Sequence, residues 1–168
     1  YEAFTGDSVL PCADFSATPN VLVLRSLAKT AGLAGLRIGF AIGHADVVDR
    51  VSRVTGPYDV NSVAVAAAFA ALADQSYVDA YVAEVLRARA LTLEGLKAAG
   101  LRHHCDGGNY LLIWPKRPLV EVEADLRAAG ILVRSMAGKP LIDGSLRVSL
   151  GTSSQMQRFL KAFLAIDP

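Results

Sequence analysis

The sequence predicts an α/β protein in two parts, joined through one long helix. Three observations predict it. Short β-branched apolar runs alternate with stretches of helical periodicity. One helical stretch, 77–99, runs far longer than the others. After Gly100 the order becomes strand, helix, strand, strand, helix. Apolar residues make up 52% and charged residues 20% of the 168, a balance that supports a packed core and argues against disorder.

The elements follow in order. Val21-Leu22-Val23-Leu24, after Pro19-Asn20, reads as a buried strand. Leu36 to Ile42 reads as a second, interrupted by Gly39. Asp46 to Val54 is a short helix ending near Gly56-Pro57. Ser62 to Leu72 is an Ala-rich helix with Ser62 as N-cap. Tyr77 to Ala99 is the long helix, with Val78, Tyr81, Val82, Val85 and Leu86 at helical spacing and Gly100 as its stop. Tyr77 and Tyr81 are expected to pack. Tyr110 to Trp114 is a strand, Leu119 to Ala129 an amphipathic helix ending at Gly130, and Ile131 to Val133 and Leu146 to Leu150 are strands. Thr152-Ser153-Ser154-Gln155 fits a capping box and opens a last helix to about Ala165. The domain boundary is placed at 76/77.

Composition excludes several classes of function. The net charge is +1 with no basic cluster, so no footprint for nucleic acid or an anionic membrane is evident. The longest Ala/Val-rich run, 63–73, is short of the roughly 20 apolar residues that span a bilayer. Cys12 and Cys105 sit in no motif and read as two reduced thiols of a cytoplasmic protein. Tyr1-Glu2-Ala3-Phe4 carries no leader, and the mean hydropathy of +0.35 fits strands built for the middle of a larger sheet. The expectation is a chain that continues upstream.

The chemistry concentrates in Arg25-Ser26-Leu27-Ala28-Lys29-Thr30-Ala31-Gly32-Leu33-Ala34-Gly35-Leu36-Arg37-Ile38-Gly39. Lys29 lies just beyond an apolar strand, where partial desolvation favours the neutral amine that a Schiff base needs. Ser26 and Arg37 flank it across two glycines, and a hydroxyl with a forked guanidinium can hold a phosphate.

This segment resembles the cofactor-lysine signature of fold-type I pyridoxal-phosphate-dependent aminotransferases, S-x-x-K followed by a Gly-rich turn and G-L-R-x-G. The resemblance is closest to the histidinol-phosphate aminotransferase branch. Tyr1-Glu2-Ala3-Phe4 resembles the end of its D-E-A-Y-x-x-F segment, Pro57-Tyr58-Asp59-Val60-Asn61-Ser62 its P-[YF]-x-V-N-S turn, and Gly108-Asn109-Tyr110 its A-N-F strand start. Arg134 and Arg147 stand thirteen apart, the separation of the branch's two substrate-facing arginines.

The resemblance implies the last strands of a mostly parallel large domain (1–76), then a connecting helix and a small α/β domain (77–168). It implies that Lys29 carries pyridoxal 5'-phosphate and moves a proton between the substrate α-carbon and the cofactor's C4′. Ser26 and Arg37 would bind the cofactor phosphate, and Tyr1 its phenolic oxygen. Arg147 would hold the α-carboxylate of the amino donor, Arg134 the far end of the substrate, and Asn109 would be a further substrate contact. It also implies a 2-oxo acid acceptor and a homodimer. Ala28 departs from a serine common in the branch. The acidic partner of the pyridine nitrogen, the Gly-rich phosphate loop and an Asn beside the ring would lie upstream of Tyr1. The alternatives are an aromatic amino acid aminotransferase, a threonine-phosphate decarboxylase and, from another class, a non-catalytic sensor domain, which the retained Lys29, Arg37 and Arg147 disfavour.

Other features read as structural. His103-His104-Cys105 cannot all reach one ion, because neighbours on a strand face opposite ways; no metal is expected. His44 reads as a surface residue and Gly107-Gly108 as a turn.

Overall fold

The computed structural model describes residues 1–56 and 58–168. They form two compact units, Glu2–Tyr81 and Val82–Pro168, the latter joined by Tyr1. Pro57 lies outside the described residues, and with it the first position of the expected 57–62 turn.

The first unit opens with helix α1 (Glu2–Thr5), whose Phe4 is buried and meets Tyr81 edge to face at 6.4 Å. Strands β1 (Leu22–Ser26) and β2 (Gly39–Gly43) follow. They pair antiparallel, Leu22 opposite Gly43 and Ser26 opposite Gly39. The implied sheet is mostly parallel. This pair is not, because the connection between the strands is a loop with a single 3₁₀ turn, and no crossover helix carries the chain back. Gly39 is needed where it stands, since a Cβ there would lie 2.5 Å from the Arg25 carbonyl oxygen. Strand β1 is not buried as expected. Leu24 is 75% exposed, because a two-stranded ribbon covers neither of its own faces. The second strand starts at Gly39 and not Leu36, since Ala34–Leu36 is the 3₁₀ turn and Arg37 adopts a left-handed backbone.

Helices α2 (Ala45–Ser52) and α3 (Ser62–Ala73) complete the unit before the long helix. The cap of α3 is Asn61 and not Ser62. Asn61 has the extended backbone a cap requires, and its side-chain oxygen accepts the Ala64 N–H at 2.8 Å. His44 caps α2 by the same device, its Nδ1 accepting the Asp46 N–H at 3.3 Å.

Helix α4 (Gln75–Ala98) runs through the boundary between the units. It starts two residues early because Asp74 accepts the Tyr77 N–H at 3.1 Å. Tyr77 is 61% exposed and does not pack as expected; it lies in the first turn of the helix, ahead of Val85, the first of its buried residues. At the other end Gly100 (φ +64) donates to Lys97 O and Leu101 to Leu96 O, both at 3.0 Å. This is a Schellman stop, with Leu96 and Leu101 buried as its apolar contact.

The second unit is a four-stranded antiparallel sheet in the order β3 (Arg102–His104), β4 (Tyr110–Trp114), β6 (Leu146–Ser149), β5 (Arg134–Ser135). Leu111, Ile113, Leu146 and Val148 form its buried face, and the core continues into α4, α5 (Leu119–Ala128) and α6 (Ser153–Ile166) through Val122, Leu126, Met156 and Phe163. Residues 131–133 are not a strand. Ile131 donates to Leu126 O at 2.9 Å and Gly130 to Arg127 O at 3.0 Å, so this stretch begins as the stop of α5. Pairing with β6 begins only at Arg134.

Helix α6 carries the expected box. Thr152 Oγ1 accepts the Gln155 N–H at 3.3 Å, and the Thr152 N–H donates to Gln155 Oε1 at 2.8 Å. Glu84 secures the same end by accepting the Ser153 N–H at 2.7 Å. That bond, then the Ser153 hydroxyl and Arg87, holds the Glu84 carboxyl below its usual range. Thr152→Ala is expected to destabilise the second unit by about 1 kcal/mol. Urea denaturation followed through Trp114, the single tryptophan, checks this, because Trp114 lies in β4.

Cys12 and Cys105 are free thiols. Among the described residues no helix is long and apolar enough to cross a membrane, and no three His, Cys, Asp or Glu side chains gather to hold a metal.

Candidate active site

Ser26, Lys29 and Arg37 lie on the β1–β2 connection. Ser26 closes β1, and its Oγ accepts the Ala28 N–H at 3.2 Å, a local turn that fixes the hydroxyl at the strand end. Leu27, next to it, is buried, and its carbonyl accepts the Leu33 N–H at 3.1 Å. That bond draws residues 27–33 into a closed loop, with Lys29 inside it and Gly32 (φ +71) allowing the reversal. Arg37 sits at φ 54, ψ 42, and its Nη1 donates to Ala34 O at 3.2 Å. A left-handed backbone costs a residue with a Cβ about 1–2 kcal/mol, and such positions cluster at functional sites.

All three side chains are exposed. Lys29 is thus not desolvated by this chain as its place after an apolar strand suggests, because β1 itself is uncovered. The donor set is nonetheless coherent. A hydroxyl and a guanidinium suit a phosphate, and an amine on the same loop suits a carbonyl carbon.

The other four residues belong to the second unit. Arg147 on β6 is the direct register partner of Leu112 on one side and of Arg134 on the other. Directly opposed residues share a face, so the two guanidinium-bearing side chains rise from the same side of the sheet. His104, opposite Leu112, extends the row. Among the described residues neither arginine forms an ion pair with a carboxylate. Arg147 lines a cavity of about 450 Å³ with Cys105, Tyr110, Leu112, Met136 and others. Burial pushes the Cys105 thiol up, with Arg89 opposing. His103, by contrast, points to the other face, its Nδ1 2.8 Å from Leu101 O.

Asn109 precedes β4, and its carbonyl accepts the Leu150 N–H at 2.8 Å, fixing the strand start against the end of β6. Tyr1 meets the Tyr110 ring edge to face at 6.2 Å, and the Arg147 guanidinium lies 5.6 Å from the centre of that ring. The structure therefore gathers Tyr1 and Arg147 around Tyr110, a residue whose part the spacing of charged groups does not reveal. The only signal in the sequence is an aromatic residue beside Asn109.

The aminotransferase class I and II family model matches residues 1–163. "Histidinol-phosphate aminotransferase 2" of Pasteurella multocida is 39% identical over 144 residues, covering 85% of this chain and 39% of the relative. The chain thus spans about two fifths of the length of that curated relative. The crystal structure of the histidinol-phosphate aminotransferase from Clostridium acetobutylicum shares the fold, with a TM-score of 0.82 at 20% identity over 99% of this chain and 52% of that one. The L-threonine-O-3-phosphate decarboxylase from Porphyromonas gingivalis is similar with a TM-score of 0.80 at 25% identity, over 98% and 52%.

Proposed function

We propose, because this chain belongs to the aminotransferase class I and II family, that it is the carboxy-terminal part of a pyridoxal-phosphate-dependent enzyme that transfers an amino group from histidinol phosphate to a 2-oxo acid. In this reading residues 1–76 end the cofactor-binding domain and 77–168 are the connecting helix and small domain. The full-length enzyme would act in the cytoplasm as a homodimer.

The residues of the β1–β2 connection fit the cofactor. Ser26 and Arg37 would hold its phosphate, and Lys29 would attach to its carbonyl carbon. When bound, pyridoxal 5'-phosphate supplies the electron sink that lets the substrate α-carbon lose a proton. Lys29 is the base that takes and returns that proton. Tyr1 would donate to the cofactor's phenolic oxygen, Arg147 would orient the 2-oxo acid or an amino-acid substrate by its α-carboxylate with Asn109 just before β4 as a further contact, and Arg134 would meet the phosphate of histidinol phosphate.

The observation that carries the substrate class is the Arg134–Arg147 pair. Two like charges placed directly opposite on a sheet are unfavourable by themselves. With no carboxylate ion-paired to either among the described residues, they fit anionic groups, the phosphate of histidinol phosphate at Arg134 and the α-carboxylate of the 2-oxo acid at Arg147.

Likeness to the threonine-phosphate decarboxylase supports a second reading, since that substrate also carries an amino group and a phosphate. Assay of the full-length enzyme with histidinol phosphate, phenylalanine and threonine phosphate decides. Amino transfer from histidinol phosphate at the highest kcat/KM is expected. Carbon dioxide release from threonine phosphate would replace this reading with the second. The 168-residue chain alone is expected to show no turnover, because Lys29, Ser26 and Arg37 are solvent-exposed in it and preorganised, water-excluding surroundings are what such catalysis needs.

A further inference from the structure

We propose that Tyr110 is a positioning residue of this site, holding Tyr1 and Arg147 at once, and that Gly108 makes the room its ring occupies. The inference rests on the reading above, which gives Tyr1 a cofactor contact and Arg147 a substrate contact. It adds that one ring sets both.

Tyr110 is the first residue of β4, directly opposite Ser149 of β6. Its strand position is fixed against β6, by the Leu150 N–H bonded to Asn109 O and by the ladder to β6. The ring is then held in place. Its edge contact with Tyr1, at 6.2 Å and 69° between planes, is the geometry aromatic quadrupoles favour. The Arg147 guanidinium, 5.6 Å from the ring centre, is within the range of cation–π attraction. Gly108 is buried beneath. A Cβ there would stand 3.0 Å from Tyr110 Cε1, 3.2 Å from Cδ1 and 3.8 Å from Tyr1 Cε1. An alanine would therefore push the Tyr110 ring by a few tenths of an ångström, and through the ring disturb its contact with Tyr1. Gly108 is not held to glycine by a positive φ; Gly107, at φ +70, makes the turn. What requires glycine at 108 is the ring.

The test uses the full-length enzyme with Tyr110→Leu, Tyr110→Phe and Gly108→Ala. A hydrogen-bond donor at the cofactor's phenolic oxygen favours the deprotonated, more negative form of the bound cofactor. Displacing Tyr1 should therefore raise the pH midpoint of its visible absorbance. Tyr110→Leu is expected to raise that midpoint by about half a unit to one unit and to raise KM for amino-acid donors such as glutamate roughly three- to tenfold, with the smaller change in kcat. Tyr110→Phe, which keeps the ring, should leave both near wild type. In cofactor-free samples the Arg147 Nε–H resonance should lose its ring-current shift in Tyr110→Leu and keep it in Tyr110→Phe. Should Tyr110→Leu fail to fold, Gly108→Ala decides, with the same joint change in midpoint and KM expected. Wild-type midpoints and KM values in Tyr110→Leu, or in Gly108→Ala where that variant decides, would overturn the inference. So would a Tyr110→Phe variant that behaves like Tyr110→Leu. A wild-type enzyme with no visible band would instead overturn the proposed function, and this inference with it.

Discussion

Replacing Lys29 with alanine in the full-length enzyme is expected to abolish covalent attachment of pyridoxal 5'-phosphate and to lower transamination by about 10²–10⁴-fold through the lost proton transfer alone. Lys29 is the one lysine in the closed loop between Leu27 and Leu33, with Ser26 and Arg37 on the same connection. Neither neighbour can replace it, since a hydroxyl and a permanently charged guanidinium make poor nucleophiles toward a carbonyl. Borohydride reduction followed by peptide mass mapping checks this. The wild type should carry a reduced cofactor on the peptide containing Lys29, and Lys29→Ala should carry none. A fixed cofactor on another lysine of that variant would remove Lys29 from its proposed role.

The second large effect separates the two arginines. Hydrogen bonds to charged groups contribute about 1.5–3 kcal/mol, so Arg147→Ala should lower kcat/KM roughly ten- to a hundredfold for the amino-acid donors glutamate and phenylalanine, because each presents an α-carboxylate. Arg134→Ala should cost a similar factor with histidinol phosphate and little with phenylalanine. The structure makes the comparison clean in one respect. The two residues are opposite each other on neighbouring strands, so a general disturbance of the sheet would affect all donors alike. Steady-state kinetics on the three donors reads the difference. Equal losses on phosphorylated and aromatic donors in Arg134→Ala would shift the substrate toward an aromatic amino acid.

Much of this was legible because it is local. Gly100 and Gly130 end α4 and α5 through backbone bonds within six residues, and Thr152 to Gln155 is a self-contained cap. Tyr110–Trp114 is a strand because its buried positions are continuous and long-chain apolar. What was not legible depends on distant partners. Nothing in Val21–Leu24 tells how many strands lie beside it, so the burial of β1 and the desolvation of Lys29 could not be read. Residues 131–133 are as apolar as a strand, but of residues 131–135 only Arg134 and Ser135 pair with β6. The pairing of Arg134 with Arg147 likewise does not follow from a spacing of thirteen. It depends on the turn between them, where Met136 donates to Ser145 O at 2.9 Å and Leu141 takes φ 69. Of the candidate site, the sequence draws attention to the charged groups by their spacing but not to the ring of Tyr110 between Tyr1 and Arg147, since packing around an aromatic carries no spacing rule.

The opposed arginines have a thermodynamic corollary. A sheet that keeps two cations in direct register carries an electrostatic load, and under the proposed function bound anionic groups would relieve it. Binding and folding would then be linked: the second unit would be more stable occupied than free, by an amount that grows with the logarithm of ligand concentration. The substrate, by filling the site, would also act as a clamp on β5, the shortest strand of the sheet and the one held by only two residue pairs.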